Sequence, residues 1–263
     1  MCLILMAWQV HPDYPIVMAA NRDEFRRRPT AAAAWWTDRP NILAGRDLEA
    51  HGTWLGMTAD GRIAALTNFR DPTQIKANAP SRGGLVVEML ESHATMAERL
   101  AQLQSVSARY AGFNLLCTDG RELGVYESVP ATGRVLGPGI YGLSNHLLDT
   151  PWPKVQRAKS SLATALRSLP DDTALLELLR DDRVPADEEL PRTGVSLEWE
   201  RLLSSAFIRG DGYGTRSSNV IRVGIDGQAS FREWTWNADG SIGSELRFEF
   251  QLEPARSATR HPA

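Results

Sequence analysis

Three Asp-Gly pairs, Asp60-Gly61, Asp119-Gly120 and Asp226-Gly227, each sit between two short β-prone runs. Asp-Gly supplies the positive-φ residues of a tight turn whose twist suits antiparallel strands. Each pair therefore predicts a hairpin: Thr53–Thr58 with Ile63–Phe69, Phe113–Thr118 with Leu123–Ser128, and Val220–Ile225 with Ala229–Trp236. A fourth hairpin is expected from Leu3–Trp8 and Ile16–Ala20, across a His-Pro-Asp-Tyr-Pro turn. Ile140–Asn145 and Glu245–Leu252 read as further strands. The Arg-, Pro- and Ala-rich stretch through Trp35 and Trp36 to Gly45-Arg46-Asp47 reads as a loop.

Between the hairpins the apolar period changes. Leu85, Met89, Met96, Leu100 and Leu103 fall at helical spacings, so Arg82–Gln104 is expected to form one or two helices. Val155, Ala158, Leu162, Leu166 and Leu169 repeat at three and four residues in a second block beginning near Pro153. Asp171 to Leu179 predicts a shorter helix with Asp171 or Asp172 as N-cap, and Asp181 to Arg192 an exposed acidic loop. Several hairpins and few helices, without βαβ alternation, imply an α+β fold of antiparallel sheets covered by helices. A helix–sheet–sheet–helix sandwich fits, as one domain over residues 1–253 with a flexible tail over 254–263.

Composition narrows the function classes. Lys and Arg number 29 against 32 Asp and Glu, a net charge of −3, and a nucleic-acid binder needs a basic face. Two cysteines rule out a disulfide framework or a Cys-rich zinc module. No apolar run reaches the ~18–20 residues of a membrane span. Leu3–Trp8 lacks the basic flank of a secretory signal, so a cytoplasmic location is expected. Gly137-Pro138-Gly139-Ile140-Tyr141-Gly142 fits G-x-G-x-x-G, but a strand rather than a helix follows, so it reads as a turn. The histidines show no metal-ligand spacing, and no metal or cofactor is expected. His93 falls on the apolar face of its predicted helix; His146 is the one histidine to test for ligation or acid–base work.

Cys2 is the most informative position. Removal of the initiator Met would leave a residue carrying both a thiol and a free α-amine. Their ordinary pKa values, ~8.5 and ~7.7–8.0, suit proton exchange near neutrality, so one residue can supply nucleophile and base. Equally, Cys2 can simply begin a buried strand. Asn21-Arg22-Asp23-Glu24 ends the second strand, beside Cys2 if the first hairpin forms. There a guanidinium would lower the thiol pKa and a carboxylate would hold the ammonium. The plain alternative is a solvated polar turn. Surface turns are likewise the simpler reading of Arg46 and Asp47 and of Arg70 and Asp71, and a packed hairpin that of Trp54 between Gly52 and Gly56.

Met1-Cys2-Leu3-Ile4, Ala19-Ala20-Asn21-Arg22-Asp23-Glu24-Phe25, Ala44-Gly45-Arg46-Asp47, Gly52-Thr53-Trp54-Leu55-Gly56 and Ala65-Leu66-Thr67-Asn68-Phe69-Arg70 together resemble the NRDE family. That family is also called the transport and Golgi organisation protein 2 family. Ser81-Arg82-Gly83, Phe113-Asn114-Leu115-Leu116, Leu143-Ser144-Asn145 and Tyr213-Gly214-Thr215-Arg216-Ser217-Ser218 continue the likeness in order. The family is similar to the N-terminal nucleophile hydrolases, notably the choloylglycine hydrolases and penicillin V acylase. The resemblance implies an αββα sandwich with Cys2 as nucleophile and its α-amine as base. It further implies Arg22 steering the thiolate, Asp23 binding the ammonium, Asn68 or Asn145 donating to the oxyanion, and Arg216 as the late basic residue. In those hydrolases the early Arg and Asp are separated, whereas Arg22 and Asp23 are adjacent, and neighbours on a regular strand point to opposite faces. Either the strand ends or bulges there, or only one of the two reaches Cys2.

Two functions are expected to compete. One is hydrolysis of an amide or thioester of a small acyl compound. The other is a non-enzymatic carrier of haem or a lipid-like ligand in the same cleft, linked through the family to haem movement, lipid metabolism and secretory organisation. Under the carrier reading Cys2 or His146 is a candidate axial ligand.

Overall fold

The computed structural model describes residues 2–74, 76 and 78–253; Met1 and the tail expected to be flexible, 254–263, lie outside the described residues. The chain begins with six strands, β1 (Cys2–Trp8), β2 (Ile16–Phe25), β3 (Thr30–Trp35), β4 (Ile42–Asp47), β5 (Leu55–Thr58) and β6 (Ile63–Asn68). Helices α1 (Gly83–Glu91) and α2 (Met96–Val106) follow, then β7 (Phe113–Thr118), β8 (Leu123–Glu127), β9 (Thr132–Leu136) and β10 (Gly139–Leu143). Helices α3 (Pro153–Ala165), α4 (Thr173–Leu179) and α5 (Leu197–Leu202) precede β11 (Tyr213–Val223), β12 (Gln228–Trp236) and β13 (Ile242–Gln251).

Six strands make one antiparallel sheet in the order β10-β1-β2-β11-β12-β13, and seven make a second in the order β3 to β9. The alternation along β1 sets the layers. Ile4, Met6 and Trp8 enter the core between the sheets, with Leu43, Met57, Leu116 and Val125. Leu3, Leu5 and Ala7 face the other way, onto Val155 and Leu162 of α3 and Leu175 of α4. Leu85 and Met89 of α1 and Leu103 of α2 cover the outer face of the second sheet at Leu66 and Leu115. The result is the expected four-layer α+β sandwich. Period-2 alternation with both faces apolar is what a sheet sandwiched between a helix layer and another sheet requires. Among the described residues no helix is long and apolar enough to cross a membrane.

Several elements differ from the local reading. The stretch expected as a loop before Asp47 contains β3 and β4. Alanine has little β preference of its own, but β3 pairs with β4 and the Ala33 N–H donates to Glu233 Oε1 across the sandwich at 2.7 Å. Arg82–Gln104 is broken after Glu91 and restarts at a Thr95–Glu98 capping box. His93 falls in that break, exposed, with Nδ1 2.7 Å from Arg62 Nη1, so it is not on an apolar helix face. Asp172 occupies the N-cap position of α4, but its carboxylate pairs with Arg222 and Arg232 instead of capping. β9 and α5 are additions, the latter capped by Ser196 accepting from the Trp199 N–H.

Candidate active site at the start of β1

β1 and β2 pair so that Cys2 stands opposite Arg22. Directly opposed residues share a face, and the alternation through Ile4 and Met6 makes it the face between the sheets. β2 does not end at Arg22 but runs on to Phe25, so the Asp23 side chain turns to the helix-covered face. There Thr215 Oγ1 donates to Asp23 Oδ1 at 2.7 Å, and Tyr213 OH donates to the Asp23 carbonyl at 3.0 Å. The irregularity lies on the partner strand: pairing slips between Thr215 and Ser217, leaving Arg216 as the extra residue of a bulge.

Both neighbours nevertheless act on Cys2. The Arg22 guanidinium lies 4.4 Å over the Trp54 ring and donates to Thr30 Oγ1 at 3.2 Å, with Glu24 and Asp47 oxygens at 3.8 and 3.9 Å. Asp23 contributes its main chain, whose N–H donates to the Cys2 sulfur. Loss of hydration pushes the Cys2 thiol up, and the Asp23 charge adds to this; the Arg22 charge and the Asp23 N–H pull the other way without prevailing. Burial likewise raises the Asp23 carboxyl, against the Lys154 and Arg70 charges and the Thr215 hydrogen bond.

Cys2 is partly exposed on the wall of a cavity of about 480 Å³. Arg22, Asp23 and Asn68 share that wall, together with Trp54, Asp47 and Arg82. Asn145 is buried beside it: Nδ2 donates to the Asn68 carbonyl at 2.9 Å and Oδ1 accepts from Ser144 Oγ at 3.3 Å, which ties the end of β10 to the end of β6. Ser144 Oγ also donates to the Cys2 carbonyl at 3.2 Å. Arg216 Nη1 donates to the carbonyls of Phe25, Arg26 and Arg28 at 3.0–3.1 Å, so this residue clamps the β2–β3 turn. Neither Asn145 nor Arg216 lies on the cavity wall. His146 is also off it, stacked near Phe69 and Trp152 and bonded to Thr150 Oγ1 at 2.9 Å.

Three features escape a local reading. Arg82, inside Ser81-Arg82-Gly83, reaches the cavity because α1 starts against the β4–β5 connection. A Cβ on Gly52 would lie 2.5 Å from the Gly83 carbonyl carbon, and Arg82 Nη1 is fixed by the Gly112 carbonyl at 2.9 Å. Trp54 is a cavity wall as well as a packed residue. Arg70 is not in a surface turn: it is 5% exposed, stacked on Trp152 at 4.8 Å, and donates to Glu200 Oε2 at 2.8 Å. Among the described residues no group of three or more His, Cys, Asp or Glu could hold a metal ion.

Residues 1–238 match a family model described as Transport and Golgi organisation 2. The Transport and Golgi organization protein 2 homolog of Bos taurus is 36% identical over 284 residues, covering 96% of this chain and 100% of its own. The Homo sapiens homolog is 34% identical over 280 residues with the same coverage, 96% and 100%. Among solved structures, a Caenorhabditis elegans ortholog of N-acylethanolamine-hydrolyzing acid amidase aligns with a TM-score of 0.46 at 11% identity, over 84% of this chain and 92% of that one. The C2A mutant of a conjugated bile acid hydrolase from Clostridium perfringens gives 0.45 at 11% identity, over 99% and 100%.

Proposed function

The chain belongs to the Transport and Golgi organisation 2 family, and from the chemistry gathered at Cys2 we propose that it is a cysteine N-terminal-nucleophile hydrolase acting on an amide or thioester of a small acyl compound. The observation that carries this reading is the Cys2 sulfur on a cavity wall, opposite Arg22 and accepting from the Asp23 N–H.

Removal of Met1 frees the α-amine. The sulfur then attacks the substrate carbonyl carbon while the thiol proton passes to that amine. Arg22 and the Asp23 N–H hold the sulfur's negative charge, and the Asp23 carboxylate holds the ammonium. Asn68, reaching the cavity from the second sheet, donates to the oxyanion, and Asn145 sets the Asn68 main chain. As the C–N or C–S bond breaks, the ammonium returns its proton to the leaving nitrogen or sulfur. Water, deprotonated by the same amine, cleaves the Cys2 thioester, releasing the acid and restoring the thiol. Arg216 acts at a distance, by holding the turn after β2.

Charged side chains ring the sulfur, and His146 lies off the wall, so nothing among the described residues favours a haem or lipid-like carrier over this reading. Intact mass of the purified chain tests it. The expected result is a terminus at Cys2 and a single acyl adduct on that residue after incubation with an electrophilic acyl probe, lost in Cys2→Ala. Retained Met1, or equal labelling of Cys2→Ala, overturns the proposal.

A further inference from the structure

The cations on the wall of the Cys2 cavity are of two kinds. Arg22 and Arg28 face carboxylates: Arg28 Nε is 2.6 Å from Asp47 Oδ2 and its Nη1 is 3.4 Å from Glu49 Oε2, while Glu24 and Asp47 flank Arg22. Arg82 and Lys76 do not. Among the described residues no carboxylate lies within 4.0 Å of either cation. Each is held instead by a main-chain carbonyl between α2 and β7: Lys76 Nζ donates to Ala108 at 2.7 Å, and Arg82 Nη1 to Gly112 at 2.9 Å. With Nη1 so engaged, the Nε and Nη2 edge of the half-buried Arg82 meets no protein acceptor among the described residues. The N–H bonds along such an edge run parallel, which matches the two oxygens of one carboxylate.

The Gly112 carbonyl also accepts from the Phe69 N–H at 2.9 Å. Phe69 follows Asn68, the oxyanion donor of the proposed reaction. One oxygen therefore fixes the Arg82 guanidinium relative to the strand end that carries Asn68, and Trp54 and Leu66 add apolar wall to the same cavity. We infer that Arg82 is a specificity-determining residue: the acyl compound carries a carboxylate, which pairs with the Nε and Nη2 edge of this guanidinium while Lys76 adds positive charge at the exposed rim. The inference deepens the hydrolase reading and rests on it for the reaction, although not for the measurement. The carboxylate takes no part in bond making or breaking; it orients the scissile carbonyl toward the Cys2 sulfur and Asn68. A neutral acyl compound forgoes the paired hydrogen bonds, and a cationic one meets like charge.

Three symmetrical disulfides test this on the chain beginning at Cys2: the dianionic dithiobis(nitrobenzoate), the neutral dithiodipyridine and the cationic cystamine. Mixed-disulfide formation at Cys2 is read by peptide mass, and each rate is divided by that on the same chain in denaturant. A shift in thiol ionisation affects all three reagents alike and cancels between them. Wild type is expected to favour the anionic over the neutral reagent by about tenfold, and to disfavour the cationic one. Arg82→Gln should abolish most of that preference, whereas Arg82→Lys should keep about a third of it, since an ammonium supplies charge without the fork. No preference in wild type, or an undiminished one in Arg82→Gln, overturns the inference. Should Arg82→Gln fail to fold by circular dichroism, Arg82→Lys decides: a reduced preference supports the inference and an unchanged one ends it. Benzoate should slow the anionic reagent; slowing by inorganic phosphate at equal ionic strength, and not by benzoate, overturns the carboxylate. A chain that hydrolyses nothing yet prefers the anionic reagent loses the hydrolase reading and keeps this one. A chain that hydrolyses acyl compounds regardless of their charge does the reverse.

Discussion

Cys2 and Arg22 oppose each other on adjacent antiparallel strands, on the face that looks toward the second sheet, with the guanidinium 4.4 Å over the Trp54 ring. The strand register thus brings a positive charge to the sulfur without any loop having to close.

Arg22→Met should raise the pH midpoint of Cys2 alkylation by iodoacetamide, because the charge favouring the thiolate is gone. Asp47 keeps Arg28 as a partner at 2.6 Å, so the loss in stability is expected to stay at about 1–3 kcal/mol, from the Trp54 stack and the Thr30 hydrogen bond. Arg22→Lys should restore more of the midpoint than of the stability, since a point charge does not replace a flat, stacked one. Alkylation profiles and urea melts on the same preparations check both. An unmoved midpoint in Arg22→Met would remove Arg22 from any role at the sulfur.

The second cysteine is fully enclosed, whereas Cys2 is partly exposed. Cys117, on β7 beneath α1 and α2, is 1% exposed, its sulfur 3.6 Å from Met96 Sδ, and burial pushes its thiol up to about 12. At pH 8 a thiol reagent should therefore modify Cys2 alone in the folded protein and both cysteines in denaturant. Fast labelling of Cys117 in the native state would show that the helix layer opens readily.

Gly52 and Gly83 touch backbone to backbone, and this contact seats the start of α1 and with it Arg82. Gly52→Ala would place a methyl carbon 2.5 Å from the Gly83 carbonyl carbon, and neither partner has a side chain that can swing away. A cost of about 1–3 kcal/mol is expected, as for other overpacked sites. Slower labelling of Cys2 by an anionic disulfide reagent should follow as Arg82 is displaced. A variant as stable as wild type would mean that the β4–β5 connection adjusts freely.

How far the site could be read in advance depended on the range of the interactions. The hairpins were legible because their turns are local: Gly61, Gly120 and Gly227 all sit at positive φ, at 87°, 85° and 79°. The pairing of Cys2 with Arg22 follows from one such local unit, the β1–β2 hairpin. Whether Arg22 or Asp23 would face Cys2 remained open, since the answer lies in the continuation of β2 past Arg22 and in the bulge at Arg216 of a strand some 190 residues later. β3 was hidden by its alanines, whose extended state is imposed by β4 and Glu233. The Arg70–Glu200 pair joins residues 130 apart and involves a six-residue helix with little periodic signal. Asn145 and Arg216 were singled out by motif, yet Asn145 donates to the Asn68 carbonyl and Arg216 to the carbonyls of Phe25, Arg26 and Arg28. Motif membership alone does not separate a residue that lines a cavity from one that holds its frame.

Lys154 should leave a mark on stability. Its pKa falls from the ordinary 10.5 to about 8 in the folded chain, mainly through burial. Between those two values the unfolded chain binds more protons at this site than the folded one, so the lysine's contribution to stability rises with pH. It is complete above 10.5 and lost as the pH falls to about 8, below which both states are protonated. Buried thiols and Tyr213 titrate in the opposite sense at high pH, so the useful quantity is a difference between variants. Lys154→Met lacks the titrating group. The stability of wild type relative to this variant should therefore be constant below pH 8 and climb steadily toward pH 10, by an amount on the order of 1–3 kcal/mol. Paired urea melts at pH 7, 8, 9 and 10 measure it; a flat difference would mean that Lys154 keeps its ordinary proton affinity and that its burial is fully compensated by Asp23 and Glu200.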